Sequence, residues 1–271
     1  MTDTEKTHDK KTELTRIVDF ATSVGTYLLS SGAHCGRINR NINRIVKAWG
    51  VNVEIYFSFT GILITGYYKD NPEYKITTYK QSPSYNVNFT AINEVSQLSW
   101  LVDSKKINIS QASDLFQKIK NIPYYSTKIT LLGIGLSCAC LCLVAGGDWR
   151  DALFSFIAAI CGMIVRLYTQ KKGYNTMIST ILAAFVTTLI TSLDMINILE
   201  PFWGAATAPD RALATSVLYL VPGVPLTNCI IDLIEGYIPT AIFRGTFGAF
   251  ILLCIAVGMS LSILMFGINN F

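Results

Sequence analysis

The chain has 271 residues, of which 51% are apolar and only 15% are charged. With a mean hydropathy of +0.41, this composition suits a membrane protein better than a soluble one. The charge is uneven: residues 1–128 contain 16 Lys and Arg against 11 Asp and Glu, whereas residues 129–271 contain 6 against 7. We therefore predict a small α+β domain over residues 1–122 and an all-α membrane domain over residues 123–271.

The first twelve residues are polar and lack the apolar core of a signal peptide, so we expect the N-terminal domain to stay in the cytoplasm. Hydrophobic periodicity and turn residues predict its elements. The expected helices cover residues 12–31, 34–49, 92–104 and 110–121, and the expected strands cover 51–57, 62–67, 75–80 and, more weakly, 85–89.

The helix over 34–49 has one apolar face and one basic face. The basic face consists of Arg37, Arg40, Arg44 and Lys47. Two interpretations remain open. The face is either solvated, or it contacts anionic lipid headgroups or the acidic surface of a partner.

Catalytic signatures are missing from the sequence. It contains no Gly-rich phosphate loop, no zinc-ligand spacing and no nucleophile elbow, and it has only two histidines, His8 and His34. Cys138, Cys140 and Cys142 alternate along a predicted helix and are interpreted as small apolar residues. We expect a protein that is not an enzyme, needs no cofactor or metal, and binds no nucleic acid.

Five apolar segments are long enough to cross a bilayer. They cover residues 128–146, 152–170, 174–194, 212–232 and 242–267. Positive residues collect before the first segment, between the second and third, and between the fourth and fifth. The positive-inside rule then predicts a multi-pass protein of a bacterial-type inner membrane, in contact with lipid, with its C-terminus outside.

The odd number of spans has a consequence for assembly. Two copies of a five-span unit in one chain would have opposite orientations, the inverted arrangement in which many transporters place their binding site. This chain supplies one such unit. Either a second, related protein supplies the other half, or this chain inserts in both orientations, which the charge bias between the loops disfavours. We therefore expect a second five-span membrane subunit of opposite orientation.

The fourth span is interrupted by Pro222, Gly223 and Pro225. Broken backbone in a membrane survives where it is buried in protein or lines a cavity, and transporters place substrate sites there. Unpaired N–H groups after Pro225 would favour a carboxylate, to which Thr227 and Asn228 could add hydrogen bonds.

Ionisable residues in the spans complete the predicted site. Asp232 follows Asn228 by one helical turn, and Arg166 and Arg244 could bind a carboxylate or pair with an acid. The alternative for all three is a residue at a helix end that reaches the headgroups. Asp232, Asp148 and Asp151 are candidates for proton coupling, although an ordinary outer loop would also explain Asp148 and Asp151.

Three stretches resemble the threonine/serine exporter family in its split form. Ser31-Gly32-Ala33 with Arg37 is similar to an early helix motif, and residues 146–153 are similar to the first outer loop. Residues 220–226 with Asn228 and Asp232 are similar to the family's most distinctive segment. The hairpin around Phe59-Thr60-Gly61 departs from the family by lacking a Thr-Arg pair.

The resemblance implies secondary export of small hydrophilic metabolites. Fused members are associated with threonine and serine, and split members with succinate-type dicarboxylates and a smaller five-span partner. We expect alternating access around the broken fourth span, probed by substitution of Asp232. The alternative is a membrane-anchored sensor or assembly protein whose cytoplasmic domain is the active part.

Overall fold

The computed structural model describes residues 3–58, 60–104, 106–123, 125–195 and 208–266. By its internal contacts the chain divides into two compact units. The first contains residues 1–123 together with 223–245, and the second contains residues 124–222 together with 246–271. Residues 223–245, which we predicted to be part of the membrane domain, therefore make most of their contacts within the unit that contains the N-terminal region. The predicted boundary near residue 122 stays a prediction.

The part of the first unit before residue 124 contains four helices and one antiparallel sheet of order β1-β2-β3. The helices are α1 (Asp3–Ser30), α2 (Cys35–Ala48), α3 (Phe89–Asp103) and α4 (Ile109–Lys120), and the strands are β1 (Val51–Phe57), β2 (Gly61–Tyr68) and β3 (Asn71–Gln81).

The weak strand predicted at 85–89 is wrong, because α3 already begins at Phe89 and the preceding residues join no sheet. The N–H groups of Asn86 and Asn88 instead bind the carbonyl oxygens of Ser30 and Ser31, at 2.9 and 3.0 Å. This segment satisfies the carboxyl end of α1, where carbonyl groups lack helical partners.

The core of this unit lies between α1, α2 and β2, and extends to α3 and α4. Ile38, Ile42 and Ile45 on α2 are fully buried, as their helical spacing predicts. Each such side chain contributes about 1.5–3 kcal/mol to stability relative to an exposed position. This packing fixes α2, whose first residues form part of the candidate site.

Three of the four basic residues of α2 contact other parts of the protein, which neither of our two interpretations anticipated. Arg37 donates to the Ser96 hydroxyl at 3.3 Å. Arg44 donates to the Ser99 hydroxyl at 2.7 Å, and its guanidinium lies 3.6 Å from the centre of the Trp100 ring. The third, Arg40, pairs with Glu235, as described below.

The second unit is helical throughout the part that the structure describes. It contains α5 (Thr127–Val144), α6 (Trp149–Lys171), α7 (Thr176–Met195), α8 (Pro209–Ser216) and a 3-10 turn (Leu218–Leu220). The remaining helices of the chain are α9 (Gly223–Ile234), in the first unit, and α10 (Ile238–Phe266), whose residues are shared between the two units.

Four described helices are long and apolar enough to cross a membrane: α5, α6, α7 and α10. A fifth span is obtained if α8 with its 3-10 turn and α9 are one interrupted helix. Within the second unit, Gly258 packs directly on α7, since a Cβ there would lie 2.8 Å from the Ala184 Cβ. Small residues of this kind let membrane helices approach closely.

Candidate functional site

The break in the predicted fourth span lies at Val221 and Pro222, between the 3-10 turn and α9. Because α9 begins at Gly223, Pro225 lies in its first turn, where its missing N–H group breaks no helical bond. The N–H groups of Thr227 and Asn228 then lie inside the helix, later than the four that have no helical partner. The unpaired donors therefore come earlier than expected, and the Thr227 side chain is exposed.

A buried ion pair lies on the carboxyl side of this break. Arg244 Nη1 of α10 donates to Asp232 Oδ2 of α9 at 2.8 Å, and the two side chains are only 5% and 0% exposed. Asn228 lies one turn before Asp232 and is also buried. The structure thus brings together three of the predicted site residues.

These three side chains bind backbone groups of the turn between α1 and α2. Asn228 donates to the Gly32 carbonyl oxygen at 2.8 Å, and Arg244 Nη2 donates to the Ala33 carbonyl oxygen at 2.9 Å. The N–H group of Cys35 donates to Asp232 Oδ1 at 2.7 Å. All of these residues belong to the first unit.

The local structure of the turn explains why its backbone groups are available. The carbonyl groups at the end of α1 and the N–H groups at the start of α2 have no partners within their own helices. Gly32 has a φ of +90°, which lets the chain turn sharply after α1. Asp232 therefore places a negative charge at the amino end of α2, where the helix dipole favours it.

A second, more exposed ion pair lies beside the first. Glu235 Oε1 is 3.1 Å from Arg40 Nη1, and Glu235 Oε2 is 3.1 Å from His34 Nδ1. Partial burial raises the pKa of the Glu235 carboxyl, but hydrogen bonds from Arg40 and His34 outweigh this effect and the pKa is lowered. The carboxylate is therefore stabilised in its ionised form.

His34 caps α2, in agreement with its prediction as a residue at the start of a helix. Its Nδ1 also accepts from the Arg37 N–H group at 3.3 Å. An Nδ1 lone pair can accept from Arg37, whereas an Nδ1–H can donate to Glu235, and one atom cannot do both. The two contacts are therefore alternatives, and the ring nitrogen that carries the proton decides between them.

Cys35 lies at the centre of the cluster, with its thiol 3.5 Å from Asp232 Oδ2. Burial, assisted by the Asp232 charge, raises the pKa of this thiol to about 12. Cys35 is therefore held as a neutral thiol.

His34, Asp232 and Glu235 have potential metal-ligand atoms within 4.8 Å of one another. Both carboxylates are already paired with arginines, and Asp232 also accepts the Cys35 N–H group. These two guanidinium groups oppose the binding of a cation, so the cluster is better described as a charge-paired junction.

Asp148 and Asp151 cap the amino end of α6 in the second unit. Asp148 accepts from the N–H groups of Arg150 and Asp151, and Asp151 accepts from the Asp148 N–H group at 3.0 Å. Asp151 also accepts from the N–H group of Ala208 at 3.1 Å. These contacts give both residues a structural role, and their part in proton coupling stays a prediction.

Arg166 lies on α6 and belongs to the second unit, whereas the three site residues above belong to the first. Sequence reasoning missed the turn over residues 31–35 as part of the site, although the motif Ser31-Gly32-Ala33 marked it. It also missed the contacts of Glu235 with His34 and Arg40. In the first unit, the observed cluster therefore joins two of the three motifs of the resemblance.

Several apolar helices, an interrupted span and a buried ion pair near the carboxyl end of that span are features of membrane transporters. The sequence model of the threonine/serine exporter family, ThrE, matches residues 19–266, so this chain belongs to that family. The family and the apolar helices together indicate a multi-pass protein of the inner membrane.

Named relatives agree with this membership. The chain is 28% identical to the "Probable succinate transporter subunit YjjP" of Klebsiella aerogenes, over 96% of this chain and 98% of that protein. It is also 28% identical to the Escherichia coli protein of the same description, over 91% and 93%. A "Probable threonine/serine exporter" of Mycobacterium tuberculosis is 19% identical, over 92% of this chain and 46% of that protein. No solved structure matches the chain.

Proposed function

We propose that this chain is one subunit of a secondary exporter of small metabolites that carry carboxylates, with succinate-type dicarboxylates as the substrate class. The buried pair between Asp232, in the interrupted span, and Arg244 carries the proposal, since ionisable groups within or at the edge of membrane spans are candidates for a transport pathway. The similarity to succinate transporter subunits over nearly their full lengths supports the dicarboxylate class. The threonine/serine exporter relative is matched over less than half of its length.

In this proposal the junction determines which state the transporter occupies. The turn over residues 31–35 binds Asn228, Asp232 and Arg244, and thereby holds the start of α2 against α9 and α10. Protonation of Asp232 would remove the charge that binds Arg244 and the Cys35 N–H group, and so would release the turn. This coupling of a proton to the interrupted helix is how alternating access would be driven.

We propose that a second membrane subunit completes the transporter. The two relatives described as subunits support a partner. A five-span partner of opposite orientation would supply the inverted half that this chain lacks. Under this proposal the N-terminal domain faces the cytoplasm and the C-terminus faces outside.

The proposal is tested by efflux of labelled succinate, serine and threonine from cells that express the chain, alone and with a candidate second subunit. Succinate efflux that requires both proteins is the expected result. Efflux from this chain alone would contradict the two-subunit assembly, and efflux of only serine or threonine would contradict the dicarboxylate class.

A membrane-anchored sensor is the second candidate, because the same junction ties the N-terminal domain to membrane helices. Asp232→Asn separates the two. An exporter loses efflux while the variant remains in the membrane, whereas a protein that does not transport shows no efflux with either sequence. Glu73→Gln, at an exposed position of β3, is the matched control for loss of one carboxylate.

A further inference from the structure

Arg166 is a charged residue in an apolar part of the chain. Between Asp151 and Lys171 it is the only Lys, Arg, Asp or Glu of α6. It is partly buried, and among the residues that the structure describes its guanidinium has no hydrogen bond or ion pair. Arg244 differs, because its charge is balanced by Asp232.

Hydroxyl groups lie against the same face of α6. Gly162 precedes Arg166 by one turn, and a Cβ at Gly162 would overlap the Thr187 and Tyr219 hydroxyls. These two oxygens are 3.1 Å apart. Tyr219 is also close enough to Arg166 for the two to interact electrostatically. The Arg166 side chain and the two hydroxyls therefore lie in one region of the second unit.

The neighbouring part of α7 carries more polar groups than its own structure satisfies. Thr188 and Ser192 have buried hydroxyls with no hydrogen-bond partner in the described ranges. Buried hydroxyls without partners are costly in an apolar surrounding and call for an explanation. A polar ligand or the water that accompanies it would supply such partners.

We propose that Arg166, Tyr219 and Thr187 form an anion site that takes one carboxylate of the exported dicarboxylate. This inference rests on the proposed function and names the group that recognises the substrate's charge. A guanidinium can donate two parallel hydrogen bonds to a carboxylate. Because the Thr187 hydroxyl donates to the Ala183 carbonyl oxygen at 2.8 Å, the Tyr219 hydroxyl donates to Thr187 in this structure and would turn to donate a third bond to the anion. The Asp232–Arg244 pair has no net charge, so its attraction for an anion is weaker.

The position of Tyr219 links this site to the interruption of the span. Tyr219 lies in the 3-10 turn that ends at Leu220, two residues before Pro222. Rearrangement at the break would therefore shift the Tyr219 hydroxyl and change the site's affinity for its anion. This relation between an anion site and a helix break is what export requires.

A competing explanation is that Arg166 extends to the lipid headgroups, as long basic side chains near helix ends do. The two explanations differ in whether lysine can replace Arg166. A snorkelling arginine tolerates Lys, whereas a bidentate carboxylate site does not, because an ammonium lacks the planar pair of donors.

The test measures binding of succinate to the purified full chain in detergent. The readout is the increase in the protein's unfolding temperature as succinate is added. Succinamide, which has the same length without charge, is the ligand control. We expect stabilisation by succinate only, and at least about a tenfold weaker affinity in Arg166→Gln and in Arg166→Lys. Tyr219→Phe should weaken binding less, because the guanidinium contacts remain. Lys171→Gln removes a cation from an exposed position of the same helix and should bind as the natural chain does.

Each remaining outcome overturns the inference. Equal succinate affinity in Arg166→Lys, or in both Arg166 variants, would show that Arg166 does not hold a carboxylate. Absence of succinate binding by the natural chain would also reject the site. The proposed function is judged separately, because efflux from cells with both subunits does not depend on these binding measurements.

Discussion

The Asn228 side chain donates a hydrogen bond of 2.8 Å to the Gly32 carbonyl oxygen, although the two residues are 196 positions apart. The carbonyl follows α1 and the amide lies on α9, so one bond joins the N-terminal domain to a segment predicted to lie in the membrane. The Asp232 and Arg244 contacts with Cys35 and Ala33 lie beside it.

Asn228→Ala should destabilise the protein by about 1–3 kcal/mol, because it leaves the buried Gly32 carbonyl without a partner. The measurement is the denaturant midpoint of unfolding in mixed micelles. Asn93→Ala is the matched control, since it removes the same amide from an exposed position of α3. Equal midpoints for the two variants would contradict the importance of the Gly32 contact.

Asp232→Ala and Arg244→Ala should each cost about 3–5 kcal/mol, because each leaves a buried charge without its partner. The double variant should cost clearly less than the sum of the two, since it leaves neither charge behind. A double-mutant cycle on the free energy of unfolding measures this difference. Additive effects would mean that the pair is not formed in the folded protein.

Cys35 should react slowly with a soluble alkylating reagent. At pH 8, a thiol with a pKa of about 12 has about a thousandfold less thiolate than one at the ordinary value of 9.0. A variant that keeps Cys35 and replaces the other six cysteines provides the measurement, and the same protein in denaturant is the control. Labelling rates within tenfold of each other would refute the raised pKa.

The same pKa predicts a dependence of stability on pH. The folded protein binds this proton more tightly than the unfolded chain, whose pKa is near 9.0. The contribution is therefore fully present below pH 9 and is lost as the pH rises toward 12. Cys35→Ala should remove this part of the alkaline loss, which a comparison of unfolding midpoints between pH 8 and pH 11 would detect.

Gly162→Ala should destabilise the second unit, because the added methyl group meets the Thr187 and Tyr219 hydroxyls and lies 3.0 Å from the Ala183 carbonyl oxygen. Overpacking of this kind costs about 1–3 kcal/mol. Gly133→Ala is the control on α5, where a Cβ would have no described atom within 4 Å, and alanine is the better helix former. In thermal unfolding of the purified proteins, Gly162→Ala should unfold at a lower temperature than Gly133→Ala.

Local patterns predicted most elements of the fold. Alternation predicted β1 at residues 51–57, where the structure has it, and helical periodicity predicted the buried isoleucines of α2. The pattern of α2 could not predict what covers its basic face, because amphipathicity identifies the side that faces the core and not the contacts of the other side. Arg40 and Arg44 illustrate this, since their partners lie on distant segments.

The candidate site was only partly predictable for a similar reason. Helical spacing predicted that Asn228 and Asp232 share a face. The sequence analysis also allowed Arg244 to pair with an acid, and in the structure that acid is Asp232. The opposing groups of the junction are backbone atoms of Gly32, Ala33 and Cys35, which have no side-chain signature. Arg166 was assigned to the same site by its charge alone, whereas the structure assigns it to the other unit.

The contact between Gly32 and Asn228 also fixes an order of events during synthesis. At about 5–20 residues per second, roughly 10–40 s pass between translation of Gly32 and translation of Asn228. During that interval α1 and α2 have been translated. The carbonyl groups of Gly32 and Ala33 and the N–H group of Cys35 still lack their partners, because Asn228, Asp232 and Arg244 have not been translated. The N-terminal domain therefore completes its structure only after most of the membrane segments have been translated.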